Sequence, residues 1–538
     1  MELCDQYIHE SILLDPTMND YLKIEKYNHL RDKLPNSYTD EYDKKEEKLN
    51  KKYFNLLKKK KKKTFYDELF YGDLKEYFET LYFKDKYFPL SYLDNLSSSI
   101  MEDINSKDSD YKFDDVNSYK DYISRLNKLK PMYRTMIEHM KEGVIKKMTI
   151  ERIIIQGVIQ QLQELLESNT YKNKFNHYQK IPKNIEKQFL DAIETNVVDS
   201  TQKLIQFLIE EYVDHCSPTI GLSSIKNGKR LYKDIVKSYT YKDYTPDYVH
   251  KLGLKEVQKN LKYLNQLRTK RKFKGTYQEF IRTMKENPSS QMKDKKSVLS
   301  DLKSIRERLL KEVFEKYFDD TIQKKDYYQI KCVTKENKHM SAYYLLPDLN
   351  NERKGTFFIN ALDTSKVNKH ELPVLSLHEG IPGHHYENQL HMNSNKPLYY
   401  RLSDYTSYVE GWGFYCESLL EPKNDYERFW QLIYNLHRSI RLVVDTGIHS
   451  YGWSYEKTFQ YMKKYLPKKD EELKDEIYRY ICDPGQAITY KIGEQFILKL
   501  RKEYFKKKPN DYKGFHTLFL KIGPCPLKIV EEKFNEFQ

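Results

Sequence analysis

Glycine and proline are scarce: 18 of each in 538 residues. Together they are about 7% of the chain, against roughly 12% in ordinary proteins. That shortage argues against a turn-dense β sandwich, a collagenous chain or a Gly/Pro linker protein. Cysteine is sparse too. Cys4, Cys216, Cys332, Cys416, Cys482 and Cys525 include no C-x-x-C pair and are too few for a disulfide scaffold, so free thiols in a reducing compartment are expected. No run of about 18 uninterrupted apolar residues exists, which argues against an ordinary membrane-spanning helix. The start, Met1-Glu2-Leu3-Cys4-Asp5, lacks the basic and apolar pattern of a signal peptide. A soluble cytoplasmic protein is the expectation.

What is present is aromatic and charged. Aromatic residues make up 14% of the chain, 48 of them Tyr, far too many for a disordered chain. The fold class expected is mainly α, in one large body. The net charge is +14, which can mark a nucleic-acid or anionic-surface binder. No zinc-finger, RNP-like or basic-zipper spacing accompanies it. The one dense run, Lys58 to Lys63, follows a mixed-charge stretch and reads as a solvated helix or exposed loop. Nucleic acid is therefore not an expected partner.

Residues 1–65 read as a charged N-terminal segment, 66–200 as a helical region packing on the main body and 201–538 as the catalytic region. Ile150, Ile154, Val158, Leu162 and Leu165 recur at spacings of three and four, one apolar helical stripe. Thr245-Pro246 is a helix start and Gly253 a plausible stop. The only β signal is local: Ala342 to Leu346 and Thr356 to Asn360 flank a polar loop, Asp348 to Lys354, and predict a hairpin or edge strands.

The chemistry gathers between residues 355 and 495. Leu375-Ser376-Leu377-His378-Glu379-Gly380-Ile381-Pro382-Gly383-His384-His385 begins like a zinc-hydrolase helix, in which two His four apart chelate one metal and the adjacent Glu acts as base. Here the spacing differs. On an undistorted helix His384 would point about 120° away from His378, and His385 would lie about 10.5 Å further along the axis, too far for two Zn–N bonds of about 2.1 Å. Pro382 lacks an N–H and its ring clashes with the carbonyl four residues back, and Gly383 accepts unusual angles. A bulge or break is expected that returns His384 or His385 to His378. Glu410, expected on a second helix, is the missing third ligand, leaving a fourth position for water. Glu417, seven residues on and on the same face, could orient a ligand His or face solvent. His449 and Tyr490 have the chemistry of oxyanion donors, and Arg441 or Lys491 that of a holder for a substrate carboxylate. The strand ending at Asn360 could pair with an extended substrate backbone.

These residues resemble the large family known as domain of unknown function 885, whose members look like zincin metallopeptidases. The matches are H-E-x-x-P-G-H-H at His378 to His385, E-G-W at Glu410 to Trp412, Asp445-Thr446-Gly447 with His449 and Gly452-Trp453, and the block from Pro484-Gly485-Gln486 to Tyr490-Lys491-Ile492-Gly493. Weaker matches extend the resemblance over residues 200–538. Gly413, Phe414 and Cys416 depart from the family pattern without removing a ligand. The resemblance implies a helical zincin-like peptidase body around a substrate channel, with a small sheet beside the active-site helix. It also implies His378, His384 and Glu410 as ligands of one zinc ion and Glu379 as base, with His385 beside the site. The activity expected is zinc-dependent hydrolysis of peptide bonds in short peptides, oligopeptidase or carboxypeptidase-like. The rivals are a metal-dependent amide or ester hydrolase on a non-peptide substrate and a catalytically silent scaffold of the same fold.

Overall fold

A computed structural model of the chain describes residues 2–537 apart from 84, 94, 106–108, 168–180, 241–243, 320–326, 334–341 and 350–352. The described residues are mainly helical, with one small three-stranded sheet. No helix among them is long and apolar enough to cross a membrane.

The charged N-terminal segment is packed. Helices α1 (Leu3–Leu14), α2 (Asp40–Lys59) and α3 (Phe65–Thr80) bury Cys4, Tyr53, Leu57, Phe70 and Leu74 in a cluster of their own. The charge of this segment lies on outward faces, while Tyr and Leu recur on the inward ones. Asp5 and Asp73 tie the cluster to the body: Asp5 accepts the backbone N–H of Tyr399, and Asp73 Oδ2 accepts the hydroxyls of Tyr399 and Tyr405, both at 2.9 Å. The lysine run ends α2 and enters a loop in which Lys58, Lys59, Lys61 and Lys62 are exposed, as expected of a solvated stretch.

Helices α4 (Val116–Lys146) and α5 (Arg152–Glu167) supply a large core. Ile154, Val158 and Leu162 of the anticipated stripe are buried, as is Ile150 just before it. Helix α6 spans Gly228–Tyr239 and α7 Pro246–Lys270. The Thr245 hydroxyl accepts the Tyr248 N–H and Pro246 occupies the first turn, the expected start. Gly253 does not end this helix. It sits where α7 crosses α12 (Asp425–His449), and a Cβ there would come within 2.7 Å of Leu442 Cβ. The glycine serves close approach between helices, which local sequence cannot distinguish from a stop.

Strands β1 (Gln329–Cys332), β2 (Ala342–Leu345) and β3 (Thr356–Ile359) form a sheet in the order β1-β3-β2. The hairpin of β2 and β3 was expected, although 350–352 of its connecting loop lie outside the described residues; β1, only four residues long, carries no expectation. β3 pairs antiparallel with β2 and parallel with β1. It is therefore the central strand, and both of its edges are occupied, so the expectation that it pairs with a substrate backbone is overturned. Asn360, just past it, turns the chain out of the sheet, its Oδ1 accepting the Leu362 N–H.

Helix α8 (Lys295–Leu309) packs against α9 (Leu372–Glu379), and the other helices that build the site are α10 (His384–Met392), α11 (Thr406–Cys416), α12, α13 (Asp470–Cys482) and α14 (Thr489–Lys507). α11 and α14 cross at Gly411 and Gly493, so close that a Cβ on Gly493 would lie 2.0 Å from the Ser407 carbonyl. Two side-chain-free crossings thus join α7 to α12 and α11 to α14.

Candidate metal centre

α9 is buried on every side and carries His378 and Glu379 at its C-terminal end. It stops because Pro382 cannot continue the ladder; the chain breaks over Gly380–Gly383, with the Ile381–Pro382 peptide cis, and α10 restarts at His384. A Cβ on Gly383 would lie 2.0 Å from the His378 carbonyl, so only glycine permits so tight a return. The Trp412 indole N–H donates to the Pro382 carbonyl at 2.9 Å, pinning the break to α11.

This break decides between the two candidate histidines. The His378 and His384 rings come to 4.6 Å between centroids, nearly perpendicular. His385 faces the sheet instead, with its Nδ1 2.9 Å from the Tyr344 hydroxyl and its ring 5.0 Å from that of Tyr328. Glu410, from α11, brings Oε2 to 3.2 Å from His378 Nε2 and 3.5 Å from His384 Nε2. One ligand atom from each of the three residues lies within 4.8 Å of the others. Behind His378, Glu417 Oε1 lies 2.9 Å from Nδ1, and Arg438 Nη2 is 3.5 Å from the same oxygen.

The electrostatics favour a cation. Burial alone would lower the pKa of His378, but Glu410 and Glu417 outweigh it and lift the imidazole to about 10. Burial alone would raise Glu410; the two imidazoles outweigh it and hold the carboxyl well below the usual range. Glu379 is raised, by burial first, against the opposing pull of His378 and His384. His384 Nδ1 is buried without a hydrogen-bond partner among the described residues.

Tyr490, on α14, lies beside this cluster, its ring nearly parallel to that of His378 at 6.0 Å. Its hydroxyl accepts from Arg479 Nη2 at 3.0 Å, and the Arg441 guanidinium stands 4.6 Å from its ring centroid. Two other expectations fail. His449 is fully buried, with Nδ1 accepting the Leu222 N–H at 3.1 Å and Nε2 donating to the Tyr480 carbonyl at 2.8 Å. Both nitrogens are used, so His449 is a core histidine and no oxyanion donor. Lys491 is buried between Glu494 (2.7 Å), Asn435 (2.9 Å) and Glu256 (3.4 Å), its donors committed, so it cannot hold a substrate carboxylate.

Three residues at the site carried no expectation of this kind. Gly413 is where both imidazoles rest on α11: a Cβ there would lie 3.0 Å from Cε1 of each. Its position three after Glu410 and four before Glu417 puts it on their common face, a signal available in the sequence. Arg438 shares the face of Arg441 one turn earlier on α12; Arg479, from α13, had no local signal.

None of the curated proteins compared matches this chain. Two solved structures share its fold, each titled as that of a "putative lipoprotein". That from Colwellia psychrerythraea has a TM-score of 0.87 at 20% identity, over 99% of this chain and 98% of its own. That from Shewanella oneidensis, of unknown function, has 0.74 at 17%, over 100% and 99%. The family described as "Bacterial protein of unknown function (DUF885)" matches residues 16–534, nearly the whole chain and every residue of the His378 cluster. The chain belongs to the DUF885 family.

Proposed function

We propose that the chain is a zinc-dependent hydrolase of peptide bonds in short peptides, with a zincin-like body. The observation that carries this reading is the convergence of His378 Nε2, His384 Nε2 and Glu410 Oε2. Donors 2.0–2.1 Å from a tetrahedral zinc stand roughly 3.3 Å apart, and the separations of 3.2 and 3.5 Å straddle that value. Two imidazoles and a carboxylate suit zinc and leave one position open. His378, His384 and Glu410 would hold the ion, which supplies Lewis-acid polarisation of a carbonyl and a more acidic water.

The chain's own residues do the rest. Glu417 fixes the His378 ring and its tautomer, since a carboxylate on Nδ1 keeps Nε2 free for the metal. Glu379, raised by its burial, is suited to take a proton from water and return it to the leaving amine, because a base works best with a pKa near the working pH. The Tyr490 hydroxyl, already accepting from Arg479, keeps its own O–H for a developing oxyanion. His378 and Glu379 are only 4% and 8% exposed, which favours a short flexible peptide over a folded protein.

The test is Glu379→Gln. Turnover of a mixed peptide library, read by mass spectrometry, should fall at least about a thousandfold with zinc content unchanged by elemental analysis. Retained turnover with metal bound would remove Glu379 from the mechanism, and a wild-type protein that binds zinc and cleaves no peptide would remove the peptidase reading.

A further inference from the structure

Tyr490 is ringed by cations. The guanidinium carbons of Arg441, Arg438 and Arg479 stand 4.6, 5.6 and 6.0 Å from its ring centroid, on the ring that lies parallel to His378. Such a cluster in a buried place needs counter-charge, which direct ion pairs supply to Arg441 and Arg438, while Glu379 acts on Arg438 and Asp483 and Glu476 act on Arg479 only at longer range. Glu476 accepts from Arg441 Nη2 at 3.2 Å. Glu417 faces Arg438 but is shared with His378. Arg479 has no ion pair among the described residues, only hydrogen bonds to Gln486 and the Tyr490 hydroxyl.

The donors are also left over. Arg441 is 4% exposed; its Nε goes to the Tyr480 hydroxyl and its Nη2 to Glu476, while Nη1 is buried without an acceptor. Arg438 Nε is likewise buried and unpartnered. A buried unsatisfied donor is costly, and a charged one more so, so a set of them beside a candidate active site calls for an anionic acceptor that arrives with the substrate. The planar fork of a guanidinium matches a carboxylate.

We propose that Arg438, Arg441 and Arg479, gathered round Tyr490, receive the free carboxylate at the carboxyl end of a peptide substrate. This rests on the hydrolase reading of the His378 cluster and narrows it. With the rings 6.0 Å apart and Arg441 4.6 Å from Tyr490, the Arg441 guanidinium lies no more than about 11 Å from the His378 ring, the reach of ~3 residues of extended chain. The bond cleaved is then within the last three residues, and the enzyme trims peptides from their carboxyl end.

The experiment is calorimetry on zinc-loaded Glu379→Gln protein with pairs of tripeptides that differ only in ending as a carboxylate or a carboxamide. The free acid should bind at least tenfold more tightly, and this preference should disappear in Arg441→Met and shrink in Arg479→Gln, whose half-buried side chain makes the change easier to accommodate. Equal binding of acid and amide, or binding of neither, overturns the proposal. So does an amidated peptide with a Glu side chain that binds as tightly as the free acid, since the receptor would then read side chains. Turnover by the unmutated protein is scored separately: cleavage of acids and amides alike leaves the hydrolase and removes the receptor, whereas a preference in binding with no cleavage leaves the receptor and removes the hydrolase.

Discussion

His378 and His449 are both deeply buried, both flagged by their sequence surroundings, and opposite in character. His378 has carboxylates on both ring nitrogens, which lift it to about 10. His449 has a backbone N–H on one side and a backbone carbonyl on the other, and burial lowers it to about 4. The difference is in what each ring faces. Backbone groups satisfy a neutral imidazole and finish the matter, while carboxylates create a place where positive charge is wanted. A histidine is a candidate ligand when its neighbours are anionic and converge, and a core residue when its neighbours are neutral and paired.

The comparison can be broken most severely at the convergent end. Glu410→Gln should keep the fold and reduce zinc content, after dialysis against a weak chelator, to background, because it removes the carboxylate that lies against both imidazoles; wild-type zinc content in that variant would end the argument. Glu417→Gln should be milder, a loss of about 10–100-fold in zinc affinity, measured by competition with a fluorescent chelator. Gly413→Ala places a methyl 3.0 Å from both imidazoles and should cost roughly tenfold in affinity, on the scale of displaced ligand support, with the far-ultraviolet spectrum unchanged.

At the other end, His449→Phe should leave zinc binding alone. It keeps a ring to stack on Tyr232 and orphans the Leu222 N–H and the Tyr480 carbonyl, a cost of about 2–5 kcal/mol in urea unfolding. The smallest effect concerns pH. His391, His437, His449 and His516 are all lowered by burial, to about 4, 3, 4 and 4. Between pH 6.5 and 4 each of these histidines is neutral in the folded chain and charged in the unfolded one, so the stability that each contributes falls as pH falls through that window, against the opposite contribution of raised carboxyls such as Asp445 and Glu387. His449→Phe should make the slope shallower by about 1.4 kcal/mol per pH unit; an unchanged slope would mean that His449 is charged in the folded protein.

The legible part of the site was the part written by spacing. The His378-to-His385 string contains its own break, because Pro382 and Gly383 stand between histidines that no straight helix could bring together, and the hairpin at 342–359 announced itself through aromatic runs. What spacing could not convey is which direction a side chain faces across the fold. His449 and Lys491 have the chemistry of site residues, but the Tyr480 carbonyl and Glu494 occupy them. Gly253 looked like a stop because the helix it meets is nearly two hundred residues away in sequence. β1 gives little signal because its polar–apolar alternation, Gln329 to Cys332, is only four residues long, and without it β3 reads as an edge.

The bond from Trp412 to Pro382 couples parts that could otherwise form separately. The same helix that delivers Glu410 also clasps the turn that aims His384, so a loosened α11 would disperse all three donors at once. The arrangement of the three donors therefore depends on the packing of one helix.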